Sequence, residues 1–301
     1  LIEVVGHTAT DHICRVPRLP GKNQSALISG RTVFFGGGAA NIAAGIATLG
    51  ERARLISAVG GDFKGSLYDS WMDELGIDKD FFLVRDANTP TAFIFTDDSG
   101  DQVTFFEWGA SSAFASSDPP HVSFVHMATA DPSFNVKVAE RSEFASFDPG
   151  QDIHRYTRED LETILDNIDI LFANRHEVEE MCSVLDMNRQ QLAREVPIAI
   201  FTSGGEGSTL FCQGEKWNIS PVPVNMQDPT GAGDSYRAGF LTAYAQGYAL
   251  HACCCIGSVT ASYVVEHPGC QTHLPDWNAV VTRFQSHFGS FPEPGDRRVP
   301  E

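Results

Sequence analysis

Basic residues are scarce: 21 Lys and Arg stand against 39 Asp and Glu, a formal charge of -18. A chain this negative is repelled by nucleic acid and by anionic membrane surfaces, so neither is expected as a partner. No apolar run is long enough to cross a bilayer, and no secretory leader pattern is visible before the first strand. The seven cysteines include no pair with the CxxC spacing of a zinc site. His7, His126 and His176 show no metal spacing either, and none is given a catalytic role. A GxGxxG string after the first strand is also missing. Gly6-His7-Thr8 stands there instead, which argues against a dinucleotide-dependent oxidoreductase. There is no internal repeat and no low-complexity block.

What is present is the composition of an ordinary globular protein, 42% apolar and 20% charged over 301 residues. One core of that size can bury most of its apolar surface, so a single domain spanning 1–301 is expected. Cys253, Cys254 and Cys255 run together in an apolar, helix-like stretch, where buried free thiols are the ordinary outcome. An odd number of unpaired thiols suits a reducing, cytoplasmic setting. Asn23-Gln24-Ser25 and Asn218-Ile219-Ser220 fit the glycosylation sequon, a match read as chance.

Short apolar runs at Ile2 to Val5, Leu55 to Val59, Phe124 to Met127, Phe144 to Phe147, Ile168 to Phe172 and Ile198 to Phe201 read as buried strands. Between Ala39 and Leu49 small residues suggest a closely packed helix stopped by Gly50. Strands alternating with helices predict an α/β fold, a mostly parallel sheet covered on both faces. Two regions break this rhythm. Ser25 to Phe35 and Thr91 to Phe106 read as longer strands, the second folded about a turn at Asp97 to Asp101. Insertions at about 12–35 and 90–108 are expected to form a small β appendage: a lid, a decorative flap or a dimer interface. The Pro-rich tail from Phe291 to Glu301 reads as loose.

The strongest chemical signal is Asp228-Pro229-Thr230-Gly231-Ala232-Gly233-Asp234, followed by an apolar helix pattern through Tyr244. A helix starting here offers unpaired N–H groups from its first turn, and glycines let a ligand approach them closely. The helix dipole adds positive potential, so an anion site can form without lysine. Asp234 would repel a phosphate, but it suits a general base that takes a proton from an attacking hydroxyl, with the nearby positive field keeping it ionised. The N–H groups of Ala232, Gly233 and Asp234 would meet charge on a transferring phosphoryl group. The plain alternative is a Gly-rich turn with Asp as a helix cap.

The string Asp228 to Asp234 closely resembles the C-terminal signature of the PfkB/ribokinase family. Four further segments match that family in order: Asp11 after the first strand, Gly36-Gly37-Gly38-Ala39-Ala40-Asn41, Asn174-Arg175-His176-Glu177, and Thr202-Ser203-Gly204 followed by Gly207. Val5-Gly6-His7-Thr8-Ala9, Ser146 to Asp152, Ser235 to Phe240 and Gly269-Cys270-Gln271-Thr272 look most like the family's archaeal nucleoside kinases. The resemblance implies a ribokinase-like fold with a β lid. It also implies a homodimer that uses ATP and Mg²⁺ to phosphorylate the 5′-hydroxyl of a nucleoside. Gly231, Ala232, Gly233 and Asp234 would be the catalytic group. Asp11, Gly37, Asn41, Gln151 and Phe106 would meet the acceptor. Asn174, Thr202, Gly204 and Gly207 would meet ATP, with Glu177 an outer-sphere partner of magnesium. A need for a monovalent cation near Asp228 stays open.

Each site also has a plainer reading. Asp11 could be a turn residue, Asn41 an ordinary early-helix residue and Gly37 a tight turn. Asn174 and Glu177 would make a capping box whatever else they do. Thr202 to Gly207 could be a hairpin turn, and Phe106 or Trp108 could be core rather than a base-stacking surface. Ribokinases usually carry Lys where Gly38 stands here, and the smaller residue leaves room for a nucleoside. Phosphorylation of free ribose or a hexose remains an alternative, as does a non-catalytic nucleoside-binding module, since function belongs to the site and not the fold.

Overall fold

The structure is a computed structural model that describes residues 1–295. The chain opens with β1 (Ile2–Val5), β2 (Ala9–Arg15), β3 (Gly30–Gly36), α1 (Gly38–Thr48), β4 (Ala53–Gly60), α2 (Leu67–Glu74) and β5 (Asp78–Val84). The hairpin β6 (Thr91–Thr96) and β7 (Gln102–Glu107) follows, then β8 (Phe124–Met127), α3 (Pro132–Arg141) and β9 (Phe144–Phe147). Next come α4 (Arg158–Asp166), β10 (Ile170–Asn174), α5 (Arg175–Leu185), α6 (Arg189–Leu192) and β11 (Ile198–Thr202). The chain closes with β12 (Ser208–Cys212), β13 (Glu215–Ile219), α7 (Ala232–Ala245), α8 (Leu250–Val264) and α9 (Trp277–Phe288).

The larger sheet has the order β13-β12-β11-β10-β9-β8-β1-β4-β5. Neighbours from β11 to β5 are parallel, while β12 and β13 extend one edge antiparallel. Alternate residues of its strands sort into two separate cores, as period-two side chains must. Ile170, Phe172, Ile198 and Ile200 join the layer that holds α1, α7 and α8. Leu171, Ala173, Ala199 and Phe201 join the opposite layer with α3, α4 and α5. Burial on both faces is why these strands read as continuous apolar runs. Cys253, Cys254 and Cys255 are buried in α8, and every cysteine is a free thiol.

The α/β fold with a second, smaller sheet is as expected. That smaller sheet has the order β3-β2-β6-β7. β2 was not legible as a strand, because Asp11, His12 and Arg15 interrupt its apolar pattern. Its strand conformation comes from pairing with β3 and β6. The expected strand from Ser25 is shorter: pairing begins at Gly30, opposite Arg15, where β2 ends. The turn at Asp97 to Asp101 is as read, with Asp97 Oδ1 accepting from the N–H groups of Ser99 and Asp101. Phe291 corrects the expectation of a loose tail, since its ring packs against Tyr248, Trp277 and Phe284. Residues 296–301 of that tail lie outside the described residues.

Candidate active site

Parallel strands bring their carboxyl ends to one edge, where open α/β sheets collect ligands. β1 leads there into Gly6-His7, β9 into Asp148, β10 into Asn174 and β11 into Thr202. Asn174 and Thr202 are direct partners across β10 and β11, so two motifs separated in sequence share one register position. Each then does what its local chemistry dictates. Asn174 and Glu177 form a reciprocal capping box at the start of α5. Gly204 and Gly207 take φ values of 54° and 91° in the tight link from β11 to β12. A Cβ at Gly207 would lie 2.1 Å from the Ile219 carbonyl oxygen, which excludes any other residue there.

The glycine turn sits at the amino end of α7. Gly231 has φ 79°, and a Cβ there would meet Cys270 at 2.8 Å. Asp228 holds the turn: Oδ1 accepts from the Thr230 N–H at 2.9 Å and Oδ2 from the Gly269 N–H at 3.2 Å. The Ala232 N–H donates to the Pro229 carbonyl oxygen at 3.2 Å, unlike the free donor expected there, while residues Gly233 and Asp234 of the first turn remain partly exposed. Asp234 is hydrogen-bonded at one oxygen and faced by a cation at the other. Asn41 Nδ2 donates to Oδ2 at 2.8 Å, and an Arg237 nitrogen lies 3.7 Å from Oδ1. Its side chain keeps 21% exposure, so it faces a cleft and not a sealed interior.

The field at Asp234 differs from expectation. Burial is the largest influence and raises its pKa above the usual carboxylate range; Arg237 and the Asn41 hydrogen bond only oppose it. The outcome is a stronger base than an exposed aspartate. Asp11, only 8% exposed, is pushed up to about 7 by burial and by the charges of Asp234 and Asp228. It lies against Gly36, where a Cβ would fall 2.1 Å from its carboxylate. Its carboxylate makes no hydrogen bond within the described residues. Its oxygens are not fully enclosed, so they stay open to donors that a ligand would bring.

Five side chains outside the expected set organise this site. Gln271 Nε2 donates to Asn41 Oδ1 at 2.9 Å and to the Tyr68 hydroxyl at 2.7 Å. This fixes the Asn41 amide with its nitrogen toward Asp234. Trp71 Nε1 donates in turn to Gln271 Oε1 at 3.0 Å. Asp148 and Arg237 form a buried pair at 2.8 Å. Gln271, Asp148 and Arg237 stand in strings noted above for family likeness, whereas Tyr68 and Trp71 do not. Only Arg237, one helical turn after Asp234, carried a positional signal.

Of the remaining expected residues, Gly37 takes φ 90°, and a Cβ there would strike the His7 carbonyl oxygen at 2.5 Å. The Phe106 ring lies 5.1 Å from His7 at a tilt of 53°, beside Trp108, with the Arg155 guanidinium 3.9 Å above the Trp108 ring. Burial and Arg155 push His7 down to about 3, so the ring is neutral. Gln151 is exposed in the 3-10 turn after Asp148. A cavity of about 590 Å³ lies elsewhere, near the start of β11 and the turn from β12 to β13.

The sequence profile of the pfkB family carbohydrate kinases matches residues 1–277. The chain belongs to that family. A nucleoside kinase of Methanocaldococcus jannaschii is 43% identical over 95% of this kinase and 97% of the relative. The nucleoside kinase of Methanothermobacter thermautotrophicus is 42% identical over 96% of each chain. The crystal structure of the M. jannaschii enzyme, a member of the ribokinase family, superposes with a TM-score of 0.91, at 42% identity over 95% of this chain and 98% of that one. A Burkholderia thailandensis nucleoside kinase in complex with ADP and inosine gives 0.85 at 25% identity, covering 100% of both. The chain is therefore an ATP-dependent kinase of ribokinase-like fold.

For magnesium, the donor set can be tested directly. Among the described residues no three His, Cys, Asp or Glu side chains are grouped to hold a metal ion. Both Glu177 oxygens accept from Asn174, at 2.7 Å from its N–H and 2.6 Å from its amide. Such residues fit a hydrated ion carried by phosphates, and not a protein cage.

Proposed function

We propose that this kinase transfers the γ-phosphoryl group of ATP to the ribose 5′-hydroxyl of a nucleoside. The observation that carries the reading is the pairing of Asp234, held at the start of α7, with Asp11, a mostly buried carboxylate whose oxygens stay open to a ligand's donors. Asp11 accepts ribose hydroxyl protons, with Asn41 and the Gly37 backbone beside it. Asp234 takes the 5′-hydroxyl proton. The freed oxygen bonds to the γ-phosphorus as the bond to the β-phosphate bridging oxygen breaks, and ADP leaves with that electron pair. N–H groups of Gly233 and Asp234 stabilise the charge on the group in flight, with Ala232 holding the turn that presents them. Bound magnesium would neutralise phosphate charge, with Glu177 reaching its hydration shell through water. Asn174, Thr202, Gly204 and Gly207 line the nucleotide side.

Nucleoside is favoured over free sugar by identity to the two archaeal nucleoside kinases and by space. A Cβ on Gly38 would meet only Asp234, at 3.7 Å. Phe106 and Gln151 lie toward the base. Incubating the protein with ATP, Mg²⁺ and a mixture of nucleosides and free sugars tests this. Mass spectrometry should find phosphate on nucleosides first. Label on ribose or hexoses alone overturns the substrate class.

The raised pKa of Asp11 sets a pH dependence. Only the ionised carboxylate is free to accept from two hydroxyls. The nucleoside KM should therefore rise as pH falls through about 7, while the ATP KM stays flat. Asp11→Asn should abolish that dependence; a nucleoside KM flat from pH 6 to 8 in the unaltered enzyme contradicts the role.

The small sheet is the lid in this reading, and a second copy of the chain covers its outer face, where Phe105 is 62% exposed beside Val103, with Val33 in the same row on the opposite edge strand. Phe105→Asp should shift a dimer to monomer in sedimentation. A monomeric unaltered protein rejects the pairing. Free thiols throughout accord with a reducing, cytoplasmic setting.

A further inference from the structure

Arg237 is buried, with 8% side-chain exposure, and three carboxylates surround it. Its guanidinium lies 2.8 Å from Asp148 Oδ2, 3.9 Å from Glu177 Oε2 and 3.7 Å from Asp234 Oδ1. These acids come from three places: the end of β9, the first turn of α5 and the first turn of α7. One rigid cation thus spans the strand ends and the helix that carries the base. Asp148 is fixed on its other oxygen by the Gly150 N–H at 3.1 Å, so the anchor is firm. The two oxygens of Asp234 are addressed from opposite sides, Asn41 on one and Arg237 on the other.

We infer that Arg237 is a positioning residue for the base, clamped on Asp148 and Glu177 so that its free edge fixes Asp234 toward the acceptor hydroxyl. This rests on Asp234 acting as the base. A planar guanidinium can serve carboxylates in several directions at once, which an ammonium cannot. The charge matters as well as the geometry. Asp234 is faced by Asp11 from β2, Asp148 from the end of β9, Glu177 from the first turn of α5, and the Cys270 thiol and Tyr68 hydroxyl from flanking segments. Among the described residues Arg237 is the one cation that counters burial at Asp234.

The test is the single-turnover rate against pH, with nucleoside and ATP saturating so that Asp11 is already engaged. In Arg237→Gln the rate should fall about 10²-fold near neutral pH, since misplacing a reacting group by an ångström costs that much. The acid limb should move to higher pH by about one unit, because loss of a neighbouring cation favours the protonated base. Raising the pH should then restore part of the rate, with both KM values within about threefold of the unaltered enzyme. A residue that only held the fold would lower the rate in equal proportion at every pH; an unmoved limb in folded Arg237→Gln overturns the inference.

Should Arg237→Gln not fold, Arg237→Lys carries the test. It keeps the charge but can meet Asp148 or Asp234, not both, so the limb should stay and the rate fall about tenfold. Full activity in Arg237→Lys overturns the clamp. Asp234→Asn separates the two readings. Retained turnover in that variant rejects the base itself. A dead Asp234→Asn with an unmoved Arg237→Gln limb rejects only the role of Arg237.

Discussion

Asp234→Asn should abolish most phosphoryl transfer, lowering the single-turnover rate by about 10³-fold, within the range a positioned base contributes. That loss corresponds to about 4 kcal/mol of barrier. Ligand binding should survive. The amide oxygen can still accept from Asn41 Nδ2, and the first-turn donors of α7 are untouched. The KM values for ATP and nucleoside should therefore stay within about threefold. Two secondary effects follow from the charge removed. Asp11 loses one of the charges that raise its pKa, so the pH below which nucleoside binding weakens should move downward. Stability should shift as well. A folded pKa above the unfolded value contributes stability at low pH that is lost as pH rises through the folded value. The variant should gain Tm relative to the unaltered protein more at pH 8 than at pH 5. Undiminished phosphorylation by folded Asp234→Asn would reject the base.

Asp11→Ala should raise the nucleoside KM by about 10²-fold, the loss of charge-assisted hydrogen bonds worth about 3 kcal/mol. The ATP KM should not change, because Asp11 lies on β2 of the small sheet, over Gly36. Deoxynucleosides sharpen the test. In the unaltered enzyme, removing a ribose hydroxyl that Asp11 receives should weaken binding. In Asp11→Ala the same removal should cost little, so the two changes are non-additive. Equal penalties in both proteins, or an unchanged nucleoside KM, take Asp11 out of the pocket.

The residues whose chemistry is local were legible in the chain. Gly231 requires a positive φ, and Asp234 opens a helix behind glycines, so the string announces its own geometry. The capping box of Asn174 and Glu177 was equally readable, being a contact three residues long. Apolar runs located the strands of the larger sheet because burial on both faces leaves no other pattern. β2 escaped notice because its strand character is conferred by β3 and β6 and not by its own alternation.

What pairs with Asp234 was a different matter. Asn41 lies 193 positions away, and Gln271 reaches Asn41 across 230. The helix spacing could place Arg237 near Asp234 but not near its main partner Asp148, which follows a strand far earlier in the chain. The same holds for the field. By itself the glycine string suggests a positive site that keeps Asp234 ionised, yet the folded protein buries the carboxylate and raises its pKa. Sequence alone determined the elements and the reactive string, because helix starts, tight turns and apolar runs depend on neighbours in the chain. Tertiary structure alone decided which charges meet and how much water they keep, because Coulomb energies and desolvation depend on distances that the order of residues does not contain.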